Sequence, residues 1–466
     1  MRILLVIPNR KAYSILPAPD VGIAYIARSA LNAGSEVEVL DAHKEDIDPD
    51  EFKGVMERKH YDLIGFKCLS MDVYKVLSYC KTIKEFDQNI ITLIGGPHPT
   101  ALPEHLMKDD SVDYVIRGEG EIGIESLVKN IIASGRDIPR EEIEKIPCLV
   151  YRDNEQRVKM NPVSFEEKPD RLGFPAWHLF DLKGYPQLPG GGGKFLPIIT
   201  SRGCPSFCTF CLSNAIHGRT VRTRSPEHVI DEIRWLIKDF DIQKASIYDN
   251  NFTFYKEHAL KFIELYIANK FPVKFDVPQG VRLDRIDKEM VRALERAGCD
   301  FMGVGVESGN QETLKIVRKG TTLSMIEEKL RMIKKNSDMK LMGFFILGFP
   351  HETEEMVHET ISFALRLPLD YAAFTIFTPF PGTDLFNRMI ADGYFSMDDI
   401  NWEDLVLDKA AFKHRNISRE RLKNLQRKAY LKFYFRPSKI KFFFRIIIKE
   451  GSFMSYLRRF ISILKK

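Results

Sequence analysis

Residues 199–218, ITSRGCPSFCTFCLSNAIHG, overlap the end of an apolar run, FLPIIT (195–200), and set three cysteines at positions 204, 208 and 211. A run so short and apolar reads as a buried strand, which puts the cysteines on the loop at its carboxyl end. Three thiols on a strand-end loop read as a metal site. A tetrahedral zinc ion would need a fourth ligand, and His217 is the near candidate. An iron-sulfur cubane held by three thiolates instead leaves one iron open to an external ligand. Three unligated cysteines are the remaining reading.

Working outward from this loop, the chain alternates strand and helix patterns six times. The strands fall near FLPIIT, KASIYD, VKFDVPQG, DFMGVGVES, KLMGFFILGFP and YAAFTIFTPF. Ser225 as N-cap with Pro226 at the first helical position marks the start of the helix after the first strand. Six units are fewer than the eight of a closed barrel, so the pattern predicts an open partial (β/α)6 barrel over 194–400, with its chemistry at the carboxyl ends of the strands. Upstream, continuous β-rich runs alternate with amphipathic helices, and residues 1–160 are expected to form a doubly wound α/β domain on a parallel sheet. Such sheets bind ligands beyond the carboxyl ends of their strands. Residues 148–160 read as a closing β-hairpin turning at Asp153-Asn154. The Pro- and Gly-rich stretch 161–193 reads as a linker.

The chain has 466 residues, 44% hydrophobic and 29% charged, a balance that excludes both a disordered and an integral membrane protein. It has no run of eighteen uncharged apolar residues that would span a bilayer. MRILLVIPNR reads as a first strand and not as a signal peptide. Seven cysteines are too few and too uneven for a disulfide framework and suit a reducing cytoplasm. Residues 401–466 are expected to form a basic, aromatic-rich helical tail. Within it, residues 421–466 hold fourteen Lys or Arg and one acid, Glu450, a net +13 against about −8 for residues 1–420. That composition fits a helix lying in the headgroup layer at the inner membrane surface, or helices packed over the barrel. The acidic remainder argues against nucleic acid as a partner.

The cysteine loop resembles the radical S-adenosylmethionine (SAM) superfamily, whose C-x3-C-x2-C motif it matches, including the aromatic Phe210 before the last cysteine. The resemblance covers about residues 195–385. It implies a 4Fe-4S cluster on Cys204, Cys208 and Cys211, an open iron that chelates the amino and carboxylate groups of SAM, and reductive cleavage to a 5'-deoxyadenosyl radical. By the same resemblance, Phe210, Asp249, Asn250 and Asn251, Glu307 and Ser308, and Gly348 and Pro350 surround SAM. Taken from the residues alone, Asp249 and Asn251 serve equally as helix caps. Glu307 has no evident structural partner, and Arg224 and Arg282 read as surface arginines.

The order GGPHPT (95–100) and RGEGE (117–121), after LPAPDVGIAYIARSALNAGSEVEVLDAH, resembles the cobalamin-binding domain that precedes the barrel in one branch of the superfamily. That implies cobalamin near Ser70, Met71, Gly95, Gly96, Pro97 and His98, with Glu119 and Glu121 in the next loop. Asp41-Ala42-His43 is similar to part of the D-x-H-x-x-G motif that supplies a lower cobalt ligand, but position 46 is Asp, so His43 is not assigned. Cys68, Cys80 and Cys148 lie too far apart for the second cluster of a methylthiotransferase, and with Cys299 they read as buried apolar cysteines.

The resemblance implies a cobalamin-dependent enzyme that methylates an unactivated carbon of a lipid-like or natural-product small molecule, with a flavodoxin or ferredoxin as electron donor. Oxidative cyclisation or carbon-skeleton joining is the alternative within the branch. A cobalamin- or SAM-binding sensor without turnover is the alternative from another class.

Overall fold

The computed structural model describes residues 1–11, 18–185, 194–407 and 409–436. In the first domain seven strands are ordered β2-β1-β3-β4-β5-β6-β7: β1 Arg2–Ile7, β2 Glu36–Asp41, β3 Leu63–Lys67, β4 Ile91–Gly95, β5 Tyr114–Ile116, β6 Leu149–Arg152 and β7 Val158–Met160. The first five run parallel and the last two add as an antiparallel hairpin. Alternate residues of β1 enter two cores. Ile3, Leu5 and Ile7 pack under the helices Val21–Asn32 and Glu121–Ser134, whereas Leu4 and Val6 pack under the helix Val73–Phe86. A strand buried on both faces is the doubly wound arrangement, and the order reverses between β1 and β3. The hairpin turns over 153–157, with Asp153 N donating to Arg157 O and Gln156 at φ 59°, instead of tightly at Asp153-Asn154.

The second domain restarts with β8 Phe195–Ile198. A two-residue ladder, β9 Ser201–Arg202 with β10 Arg222–Thr223, brackets the cysteine loop. Then come β11 Lys244–Ile247, β12 Lys274–Val281, β13 Cys299–Glu307, β14 Lys340–Leu347 and β15 Tyr371–Ile376. The six long strands form one parallel sheet in chain order, β8 and β15 at its edges, which is the expected open partial barrel. Ser225 caps the helix Pro226–Phe240 as expected, accepting from His228 N. No helix among the described residues is long and apolar enough to cross a membrane.

Two segments read as connectors do structural work at the joint. As far as residue 185, the Pro- and Gly-rich stretch packs between the domains, and fully buried Trp177 joins a core that runs from β1 to β8. After the barrel, Trp402 and Leu405 return to the first domain's other core. The helix Arg419–Tyr434 buries Leu422, Leu425, Ala429 and Phe433 in the main core, while Tyr430 and Tyr434 hydroxyls donate to or accept from backbone of β15. This part of the basic tail therefore packs on the barrel. The rest, 437–466, lies outside the described residues.

Arg224 is not a surface arginine. It is fully buried, its guanidinium paired with Glu232, also fully buried, and close to the Tyr25 hydroxyl of the first domain. Removing one partner leaves the other charge uncompensated. Glu232→Leu should cost ~3–5 kcal/mol, seen as a lower unfolding midpoint, and adding Arg224→Met should recover most of the loss.

Candidate functional site

The cysteine loop is anchored at several backbone points. Gly203 holds φ 93°, and a Cβ there would lie 2.1 Å from Thr220 O, so the residue before Cys204 has to be glycine. Cys204 N donates to Gly218 O at 3.2 Å, Thr209 N to Val317 O at 3.0 Å, and Leu385 N to Thr209 O at 2.8 Å. Phe210 packs edge-on against Phe349, centroids 5.6 Å apart, and so ties the loop to the segment after β14. Beside Cys208 lie two cations. Arg282 Nη1 is 4.0 Å from its sulfur, and Arg282 Nη2 donates to Lys319 O at 3.0 Å. Lys319 is buried and donates to Glu307 Oε1 at 2.8 Å.

Glu307 thus has a partner that its sequence context did not reveal. A β-bulge between Gly305 and Glu307, with Glu307 at φ 67°, turns this side chain out of the strand's alternation. Strained backbone next to the loop marks a place where geometry has been held for a purpose. Burial pushes the Cys208 thiol up, while Lys319 and Arg282 draw it back.

The other expected SAM contacts separate into two kinds. Asp249 is saturated: Thr200 N, Thr200 Oγ1 and Ser201 Oγ all donate to it, at 2.7, 2.5 and 2.7 Å, so it laces the end of β11 to β8 and β9. Ser308 is buried against Thr360 and Glu352, Pro350 O accepts from Tyr394, and Asn250 is exposed. By contrast, Asn251 is 1% exposed with neither its Nδ2 nor its Oδ1 partnered, and the Oγ1 atoms of Thr253 and Thr209 are likewise buried and unpartnered. Buried polar atoms left open in this way need a polar ligand or water. Glu352, absent from the sequence reading, underlies both loops. It accepts from Gly348 N at 2.8 Å, Phe349 N at 3.0 Å, Thr313 Oγ1 at 3.2 Å and Ser308 Oγ at 3.4 Å, yet burial pushes its carboxyl up to about 7.

In the first domain, Ser70, Met71 and Gly95 to His98 gather after β3 and β4, beside the switch point. Gly96 takes φ 114°, and a Cβ there would meet Cys68 O at 3.0 Å, so the double glycine brings the loop after β4 onto the loop after β3. His98 is fully buried with both ring nitrogens engaged, Nδ1 with Ser70 Oγ and Nε2 with His105 Nδ1, each at 3.1 Å, and Trp402 packs edge-on to it. Burial, with His105 adding to it, pushes His98 down to about 3. Both ring nitrogens are therefore spent within the first domain. A buried pair, Arg10 and Asp72, bridges the loops after β1 and β3 at 2.7 Å.

Glu119 and Glu121, expected at cobalamin, are committed elsewhere. Glu119 accepts from Arg222 Nη2 at 2.6 Å and from His217 Nδ1 at 3.0 Å, and Glu121 from Arg202 Nη1 at 2.6 Å. Burial alone would raise Glu119, but His217 and the arginines hold it down at about 2. These carboxylates bolt the first domain to the two ends of the cysteine loop. His217 is thereby tied through Nδ1 to Glu119.

The model of the radical SAM superfamily matches residues 198–364, and that of the B12 binding domain matches 13–128. A Pyrococcus horikoshii protein named as an uncharacterized methyltransferase is 31% identical over 97% of this chain and 94% of its own. The chain belongs to the radical SAM superfamily. Within that superfamily it carries the B12 binding domain, and its cofactors are a 4Fe-4S cluster, SAM and cobalamin. The anaerobic magnesium-protoporphyrin IX monomethyl ester cyclase of Rubrivivax gelatinosus is 28% identical over 84% of this chain and 70% of its own. The radical SAM methyltransferase TsrM of Kitasatospora setae, solved with cobalamin and a 4Fe-4S cluster, shares the fold, with a TM-score of 0.66 at 20% identity over 84% of this chain and 78% of that one.

The residues fit these groups. Three undisulfided thiols on one loop suit an iron-sulfur cluster, and the open polar atoms of Asn251, Thr253 and Thr209 suit a polar ligand.

Glu119→Gln, which breaks the joint, should lower the unfolding midpoint and the iron retained per chain after anaerobic reconstitution while leaving cobalamin content at the parent level. An equal loss of cobalamin would return Glu119 to that cofactor. For Glu352 the native carboxyl sits above its unfolded value. Its proton is therefore held more tightly in the folded chain, and the stability it contributes is full at low pH and lost as pH rises to about 7. Denaturant titrations from about pH 5 to about pH 8 should show a decline of up to ~3 kcal/mol that Glu352→Gln flattens.

Proposed function

We propose that this enzyme transfers a methyl group to an unactivated carbon of a small, largely apolar molecule, of the lipid-like or natural-product class. The observation that carries the reading is the joint itself. The loop after β5 is ion-paired to both ends of the cysteine loop, which holds the first domain against the rim of the barrel and supports a reading in which the two cofactors act together. When bound, the cofactors supply a hydrogen-abstracting radical from reductively cleaved SAM and a methyl group carried on cobalt, which suits a carbon radical with no lone pair to attack a sulfonium.

The chain's own part is placement. Cys204, Cys208 and Cys211 hold the cluster as thiolates. Asn251 and Thr253 offer donors and acceptors to the polar end of SAM, and Arg282 and Lys319 add positive charge for its carboxylate, Lys319 being held in place by Glu307. Ser308 and Gly348, braced from beneath by Glu352, shape the adenosyl side. Phe210 fixes the loop through Phe349. Ser70, Met71, Gly95, Gly96 and Pro97 line the cobalamin region, where His98 acts as support and Asp72 with Arg10 keeps the loops together. The boundaries 1–160, 161–193, 194–400 and 401–466 describe this division of labour, with the cofactors held by the first and third segments.

Ring closure is the second reading, favoured by the relative named as a cyclase. Product analysis on a given substrate separates them, since methylation adds one carbon and cyclisation adds none. A sensor is excluded by turnover. The anaerobically reconstituted full chain, given SAM and dithionite, should release 5'-deoxyadenosine, and Cys208→Ala should abolish the release. Persistence of the product in that variant would overturn the cluster assignment.

A further inference from the structure

We propose that Asp276 and Ser246, low on the inner face of the barrel, form a subsite that grips a hydroxyl group of the substrate. The inference rests on the reading of the chain as an enzyme acting on a largely apolar small molecule, and names the polar handle that such a molecule carries.

Register and burial put both side chains inside the barrel. Ser246 of β11 pairs with Asp276 of β12. Their neighbours Ala245, Ile247, Phe275 and Val277 enter the core beneath the outer helices, where Phe275 lies 6.1 Å from Phe262 and 5.0 Å from Tyr266 of the helix Lys256–Asn269. Alternation along a strand therefore turns Ser246 and Asp276 inward. The same alternation runs through β14 and β15, whose helix-facing residues are buried while Met342, Phe344, Ile346, Tyr371 and Thr375 are only half-buried. The inner wall is thus uncovered and mostly apolar. Phe301 and Tyr371 meet on it with centroids 6.1 Å apart, and Phe344 leans over Gly303, where a Cβ would come within 2.7 Å of its ring. An open apolar wall with a few convergent polar groups is the composition of a small-molecule site.

On that wall the polar pair is unsatisfied. Asp276 is 4% exposed and Ser246 0%, and neither Asp276 Oδ1 nor Ser246 Oγ meets a hydrogen-bond partner among the described residues. Lys244 does not fill the gap, because it donates to Asp300 Oδ1 at 3.0 Å and stands 3.5 Å from the other Asp276 oxygen, Oδ2. Burial pushes the Asp276 carboxyl up to about 6, although Lys244 and the neighbouring Ser246 hydroxyl draw it down. Buried polar atoms left open call for a polar ligand. Lys244 and Lys274 already offset Asp276 and Asp300, so a neutral group suits the place better than a further cation. A hydroxyl both donates and accepts, so a single one serves the carboxylate oxygen and the serine together.

The test uses the full chain, reconstituted anaerobically, with 2-naphthol as probe and 2-methoxynaphthalene, which keeps the rings and the oxygen but has no proton to donate, as its control. The parent should bind the alcohol about tenfold or more tighter than the ether. Asp276→Leu, which leaves Lys244 its bond to Asp300, should abolish the preference, and Asp276→Asn and Ser246→Ala should each narrow it. Iron content and dithionite-driven release of 5'-deoxyadenosine should stay at the parent level in all three. If Asp276→Leu does not fold, the two milder variants carry the test. Equal binding of alcohol and ether by the parent would overturn the proposal. So would variants that lower the unfolding midpoint yet keep the preference, since the pair would then only brace the barrel. A parent that releases no 5'-deoxyadenosine would bring down the enzyme reading instead, while the binding preference, measured without turnover, would still decide the subsite.

Discussion

Two carboxylates from the first domain and two guanidiniums from the barrel rim, each with its side chain only 5–6% exposed, decide where the cysteine loop sits. Taking four charges out of water costs several kcal/mol for each, and such a cluster survives only if every charge meets its opposite with good hydrogen bonds. Glu119 and Glu121 meet that condition with Arg202 and Arg222, and Arg202 also lies over the Tyr25 ring at 4.7 Å. The two arginines belong to the short ladder that brackets the loop, so the same pairs that join the domains also clamp the loop's ends. An apolar joint would hold the domains together equally well. It would not fix the direction in which the loop points.

The barrel adds a second constraint. Its six parallel strands bring Asn251, Glu307, Gly348 and the cysteine loop to one rim, and several of these positions depart from regular structure. The bulge at Glu307, the positive φ of Gly203 and the open polar atoms of Asn251 and Thr253 all occur there. Departures from regular structure at the ligand end of a scaffold are the expected cost of a functional site. Charge near Cys208 follows the same logic. Arg282 and Lys319 place two cations beside the Cys208 sulfur, and Glu307 keeps Lys319 in position.

Several residues changed meaning once the chain was folded. Asp249 became a lace between strands, and His98 became a buried support under Trp402, which arrives from beyond the barrel. Arg224, in a polar stretch that reads as surface, proved to be the centre of a buried ion pair. Glu352 and Lys319 carry no motif of their own. Nothing in HET or RKG announces a carboxyl that braces two loops or an ammonium that reaches back twelve residues to a bulge. In each case the partner is remote in the chain, and a single sequence carries no record of remote contacts.

What the sequence determined by itself was local and periodic: strand runs, helix caps at Ser225 and Pro226, the spacing of Cys204, Cys208 and Cys211, and with them the order of both domains. Those features follow from interactions within a few residues, which composition and periodicity encode directly. Only the tertiary structure decided which polar groups were free and which were spent, because satisfaction of a buried charge or hydrogen bond depends on what the fold brings against it. Glu119 shows the difference most plainly: its motif identified the domain, but its function was set by Arg222 and His217, about a hundred residues away.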